Sequence, residues 1–89
     1  MITIKSDIGL RIQHLVEGLV SALGVELVRV TYEREDDVNA LTLYINKDGG
    51  IGLDDCERVS LLVDPIIEES GIMENEENWS LNVSSPGIE

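Results

Sequence analysis

The stretch Leu43–Val63, LYINKDGGIGLDDCERVSLLV, changes its hydrophobic period half-way along. Up to Asn46 the residues alternate, Leu43 and Ile45 against Tyr44 and Asn46, as in a strand with one face buried. From about Gly52 onward Cys56, Val59, Val63, Ile66 and Ile67 recur at three- and four-residue steps, as on a helix with one apolar stripe. Gly49, Gly50 and Gly52 lie between, where a tight turn calls for positive φ. A strand that turns straight into a helix carries the chain over one face of a sheet. The rest of the chain must then supply neighbouring strands and whatever else covers that face.

Both flanks supply such elements. Ser6 is a helix cap by type, with Asp7 favourably placed in the first turn. Ile8, Ile12, Leu15, Val16, Leu19, Val20 and Leu23 form one amphipathic stripe, and Gly24 stands where a left-handed C-terminal cap belongs. Val25 to Glu33 reads as a strand, with Val28, Val30 and Tyr32 on one face and Leu27, Arg29 and Thr31 on the other. A polar turn over 34–39 leads to a second strand, Ala40 to Asn46, so the two form an antiparallel hairpin. Pro65 interrupts the second helix, predicting a kink, or an end near Val63 with a further turn to Ser70. Gly71 ends it, and an acidic loop follows over 72–78. In a third strand, Trp79 to Val83, Trp79, Leu81 and Val83 share a face. The expected fold is an α+β two-layer sandwich of α-β-β-α-β order, a three-stranded mixed sheet with two helices on one face. A right-handed crossover through the second helix makes the third strand parallel to the second.

Eighty-nine residues suit one domain, and the three aromatics (Tyr32, Tyr44 and Trp79) leave an aliphatic core. The net charge is −12 and unevenly spread. Residues 1–33 carry three basic and four acidic side chains, whereas 34–89 carry three basic and fourteen acidic. Such a field repels phosphate backbones and anionic membranes, and it favours a basic protein partner or plain solubility. Cys56 is the single cysteine, which suits a reducing compartment. There is no apolar run of membrane-spanning length and no signal-peptide core at the start.

The motifs that suggest chemistry each have a plainer reading. Gly49-Gly50-Ile51-Gly52 is a G-x-x-G pattern that lets backbone amides approach a phosphate. Its flanks are Asp48, Asp54 and Asp55 with only Lys47 to help, so a strand-to-helix turn is the better reading. Asn46 to Glu57 imitates a calcium loop at Asn46, Asp48, Asp54 and Glu57, but Gly50 offers no oxygen and Ile51 stands where the sharp turn needs glycine. Cys56 falls on an apolar stripe, where a thiol acts as a small hydrophobe. His14 sits off its helix's stripe, without ligand neighbours. No catalytic residue, metal site, cofactor or small-molecule substrate is expected. The polar sheet face should display Arg29, Thr31, Thr42, Tyr44, Ser80 and Asn82. A single Tyr44 is a thin platform for stacked bases.

Three motifs carry a family resemblance. Gly24-Val25-Glu26-Leu27-Val28 follows a helix. Leu43-Tyr44-Ile45-Asn46 is followed by Asp48-Gly49, Ile51, Leu53-Asp54-Asp55-Cys56 and then Val59-Ser60. Trp79-Ser80-Leu81-Asn82-Val83-Ser84-Ser85-Pro86-Gly87 closes the series. In this order, over residues 15–87, they resemble the N-terminal domain of the RimP ribosome maturation factor family. Gly52 stands where many members have threonine, Trp79 where tyrosine is usual and Asn82 where glutamate is usual. The resemblance implies a cytoplasmic, non-enzymatic factor that binds the small ribosomal subunit during maturation. It also implies that residues 1–89 are the N-terminal domain, with the family's SH3-like barrel outside this chain. Ser84, Ser85, Pro86 and Gly87 then form the interdomain turn. The acidic surface favours contact through a basic ribosomal protein, with Asp36, Asp37, Asp48, Asp54, Asp55 and Tyr44 as candidate contacts. The alternative is an RNA-binding module, touching rRNA directly through Gly49–Gly52 or the open sheet face.

Overall fold

The computed structural model describes residues 5–35 and 37–85. Its elements are α1 (Lys5–Ser21), β1 (Glu26–Glu35), β2 (Val38–Asn46), α2 (Leu53–Ser70) and β3 (Trp79–Ser84). The sheet order is β1-β2-β3, with β1 antiparallel and β3 parallel to the central β2. This is the expected α+β arrangement of two helices and a three-stranded mixed sheet.

The core is one aliphatic cluster. Ile12, Val16 and Val20 of α1, Leu41, Leu43 and Ile45 of β2, and Val59, Val63 and Ile67 of α2 are all fully buried. Burying a side chain of this kind contributes about 1.5–3 kcal/mol relative to leaving it in water. β2 supplies the middle of the cluster because it is paired on both edges, and every second residue from Asn39 to Ile45 is buried. α1 packs on β1, α2 packs beside β3, and the helices touch each other. Gly9 marks a close approach of α1 to β1. It is buried, and a Cβ placed on it would lie 3.0 Å from the carbonyl oxygen of Val30.

Several expectations are corrected. Register slips between Leu27 and Arg29, so Leu27 opposes Ile45 while Arg29 opposes Tyr44. Val28 is the extra residue of a β-bulge and is 43% exposed, whereas Leu27 packs against the core. The bulge reverses the alternation before it, so Val28 does not share a face with Val30 and Tyr32. Leu23 does not continue the α1 stripe, because the helix ends at Ser21 and Leu23 is 40% exposed. Gly24 takes the left-handed conformation expected of it (φ 81°). The hairpin strands run into the polar stretch expected to turn, pairing as far as Glu35 and Val38. Asn39, expected in the turn, is buried within β2. Its Nδ2 donates to the carbonyl of Glu77 and its backbone N–H to that of Asn78. The cap expected at Ser6 involves a side chain outside the described set, and α1 already runs from Lys5.

α2 neither ends near Val63 nor restarts, since it is continuous through Pro65 to Ser70. Pro65 has no N–H to give the carbonyl of Leu61, and both residues are exposed, so water can serve that carbonyl. Gly71 closes the helix with φ 79°. The loop after it is anchored at three points. Met73 is buried in the core, Asn78 accepts from Asn39, and Glu76 Oε1 accepts the Tyr32 hydroxyl at 2.7 Å.

Candidate partner-binding surface

The strand-to-helix turn is internally satisfied. Gly50 N–H donates to the carbonyl of Lys47, closing the turn on Gly49 and Gly50, both with positive φ. Gly52 caps α2 from an extended conformation, so it is not chosen for left-handed backbone. Asp55, at the third helical position, reaches back and accepts from Gly52 N–H at 2.9 Å. Glycine cannot return the bond, so this is half of a capping box. The other Asp55 oxygen lies 3.0 Å from Lys47 Nζ, and the carboxylate is only 13% exposed. The Gly52 amide and the Lys47 ammonium together hold Asp55 below the usual carboxylate range, more than burial raises it. The positive end of α2 and its nearest lysine are therefore already engaged by a carboxylate of the same chain.

The open sheet face displays its expected residues. Arg29 and Tyr44 are cross-strand partners, and the guanidinium lies 4.8 Å from the ring centroid. Thr31, Thr42 and Asn82 form the next row, and Ser80 lies beyond. The one aromatic ring of this face is thus covered by the protein's own cation.

The structure does not gather the candidate aspartates. Asp37 adjoins the start of β2, while Asp48, Asp54 and Asp55 follow its end, about 30 Å away along a nine-residue strand. Asp37, Asp48 and Asp54 are exposed, and Asp36 lies outside the described residues. Of the expected interdomain turn, Ser84 is half-buried and Ser85 is 1% exposed, while Pro86 and Gly87 lie outside the described residues. Cys56 is half-buried against the core, and burial first and Asp55 second push its thiol upward. His14 is exposed, with Nδ1 3.7 Å from Glu17.

One concavity escaped the sequence reading. An open groove of about 370 Å³ runs between α2 and the outer edge of β3, lined by Ser60, Asp64, Glu68, Trp79 and Leu81. The signal was available: residues 60, 64 and 68 are spaced to share one helix face, next to the buried stripe of Val59, Val63 and Ile67. What it faces depends on where β3 lands. The two ends of the molecule also differ in compensation. Lys47 and Arg58 line the hollow around Asp54 and Asp55, whereas Glu68, Glu74 and Trp79 line one at the other end without a cation.

The sequence model of the RimP N-terminal domain family matches residues 15–89. The chain belongs to that family. RimP is a family of ribosome maturation factors, which places this domain in ribosome assembly. No helix among the described residues of this RimP domain is long and apolar enough to cross a membrane.

Proposed function

We propose that this RimP domain is a non-enzymatic, cytoplasmic assembly module that engages the immature small ribosomal subunit through a basic ribosomal protein, in concert with a downstream barrel of the family type. The observation that carries this reading is the state of the α2 N-terminus. The place where a phosphate would bind is taken by Asp55, and the carboxylates around it face solvent. A surface built this way attracts cationic side chains and repels an RNA backbone. Asp37, Asp48 and Asp54 are exposed contacts for such a partner. Asp55 acts chiefly within the domain, and the Tyr44 ring already carries Arg29 over it.

Co-sedimentation with immature small subunits tests the reading. Binding should fall with added salt and with charge reversal at Asp37 or Asp54. Binding that is indifferent to salt would sink it. A gel shift with precursor rRNA alone would instead support direct recognition through Gly49–Gly52 or the open sheet face.

A further inference from the structure

We propose that the outer edge of β3 docks an extended, cation-bearing protein segment, which joins the sheet as a fourth strand. This rests on the reading of a basic protein partner and names a further contact for it.

The sheet has two edges, and they are defended differently. β1 carries Glu26, Arg29, Glu33 and Arg34 and is broken by the bulge at Val28. Charges and bulges are how edges are kept from pairing with stray strands. β3 has neither. It reads Trp79-Ser80-Leu81-Asn82-Val83-Ser84, with no charge and no proline, in unbroken register with β2 from Asn39↔Trp79 to Tyr44↔Ser84. A regular, neutral, aromatic-bearing edge is a template for strand addition.

The groove beside this edge selects the occupant. Half-buried Trp79 and Leu81 make an apolar floor, and exposed Asp64 and Glu68 make the wall on α2. A smaller hollow of about 80 Å³ continues past Glu68 and Trp79 to Met73 and Glu74. No ion pair engages Asp64, Glu68 or Glu74 among the described residues. A strand laid along β3 turns alternate side chains toward α2. Lys or Arg there would lay its aliphatic stem on Trp79 or Leu81 and place its charge against Asp64 or Glu68. A second copy of this chain would bring a second row of carboxylates to the same place, in a chain of net charge −12, and so repel itself.

Trp79 is the only tryptophan, so its emission reports occupancy of the groove. The probe is a peptide of about nine residues alternating Lys with Val. A twin, N-methylated at alternate amides, keeps the charge but cannot pair as a strand, and a third peptide alternates Glu with Val. Only the first should give a saturable change in emission. The double variant D64N/E68Q should weaken it about tenfold, and E17Q/E26Q, the same charge change at exposed positions of α1 and β1, should leave it within about twofold. Equal binding by the N-methylated twin, equal losses in the two double variants, or no change at millimolar peptide would each overturn the proposal. Both variants, and D48N/D54N with them, are then sedimented with immature small subunits. Loss with D64N/E68Q but not with E17Q/E26Q supports the groove as a contact, alongside any loss from D48N/D54N. Loss confined to D48N/D54N refutes the groove and leaves the partner reading standing. Peptide capture without any subunit binding by the parent chain refutes the partner reading and leaves the groove.

Discussion

Two glycines on α1 offer a controlled comparison. Gly9 and Gly18 lie on the same helix, and replacing either with alanine removes the conformational freedom of glycine from the unfolded chain. In a helix interior that exchange favours folding by about 0.8–1.0 kcal/mol. At Gly18, exposed, a new Cβ meets nothing within 4 Å, so the full gain should appear. At Gly9 the Cβ would sit 3.0 Å from the Val30 carbonyl oxygen, 3.6 Å from its carbon and 3.8 Å from the Thr31 Cα. A carbon and a carbonyl oxygen ordinarily rest about 3.3–3.6 Å apart. α1 must therefore retreat from β1 by a few tenths of an ångström, loosening Ile8, Ile12 and Val16 against the sheet. Overpacking of this kind costs about 1–3 kcal/mol. Gly9→Ala should thus be neutral to about 2 kcal/mol destabilising, and Gly18→Ala about 1 kcal/mol stabilising. For a domain of this size each kcal/mol moves Tm by about 4–8 °C, so the two variants should melt roughly 4–24 °C apart. Urea unfolding followed by both helical ellipticity and Trp79 emission would measure the difference and check two-state behaviour. The sites are far enough apart on the helix for the double variant to be additive. Equal stabilisation by both alanines would refute the close contact of α1 with β1.

Four further predictions follow from single features. Pro65 is an exposed proline inside α2, and Pro65→Ala should stabilise by about 2 kcal/mol, the helix-interior penalty of about 3 less the loss of proline's restraint on the unfolded chain, read as a higher urea midpoint. Burial first, and the Glu76 carboxylate second, raise the Tyr32 phenol above its ordinary value of 10.0, so the unfolded chain releases that proton first. Its contribution is fully present below pH 10 and is lost as pH rises beyond, and Tyr32→Phe should flatten that part of the alkaline stability profile; Cys56 adds a loss beginning near its ordinary 9.0. Asp55 has the opposite sign, with its contribution present above about 3.8 and lost as pH falls. A carboxyl carbon titration should place its midpoint below that value, and Lys47→Met should move it upward. Ile45 is fully buried on the central strand, and Ile45→Ala should cost about 2–5 kcal/mol in chemical denaturation.

The architecture was legible because the strongest signals in this chain are periodic. The change of period after Asn46, the α1 stripe and the alternation of β2 each report which face is buried, and the layers follow. What escaped depends on contacts between elements distant in sequence. A bulge at Val28 has no composition of its own, since Leu27, Val28 and Val30 are equally apolar and only the register against Ile45 and Tyr44 decides which turn inward. Asn39 looks like a turn residue until the Glu77 and Asn78 carbonyls arrive to receive its N–H groups. Pro65 signals a backbone penalty, which the packing of Val63 and Ile67 on either side outweighs. Among the candidate contacts, residue type identified the carboxylates. It could not separate Asp55, engaged within the turn, from exposed Asp54, nor show that Asp37 lies a strand's length away. The groove needed both α2 and the placement of β3.

The parallel pairing of β3 with β2 also bears on how the domain assembles. Asn39 pairs with Trp79, so the first contact of this ladder closes a loop of 40 residues (79 − 39), whereas Glu35 pairs with Val38 across the hairpin. Chain closure over so long a span is entropically costlier, and non-local pairings form later. The hairpin and α1 can collapse early, but β2 keeps one open edge until α2 has formed and delivered β3. Hydrogen exchange should accordingly find the amides that join β3 to β2 opening before those that join β1 to β2. In kinetic terms β3 is a late closure of the sheet, and Trp79 at its start is positioned to record that event as a change in emission.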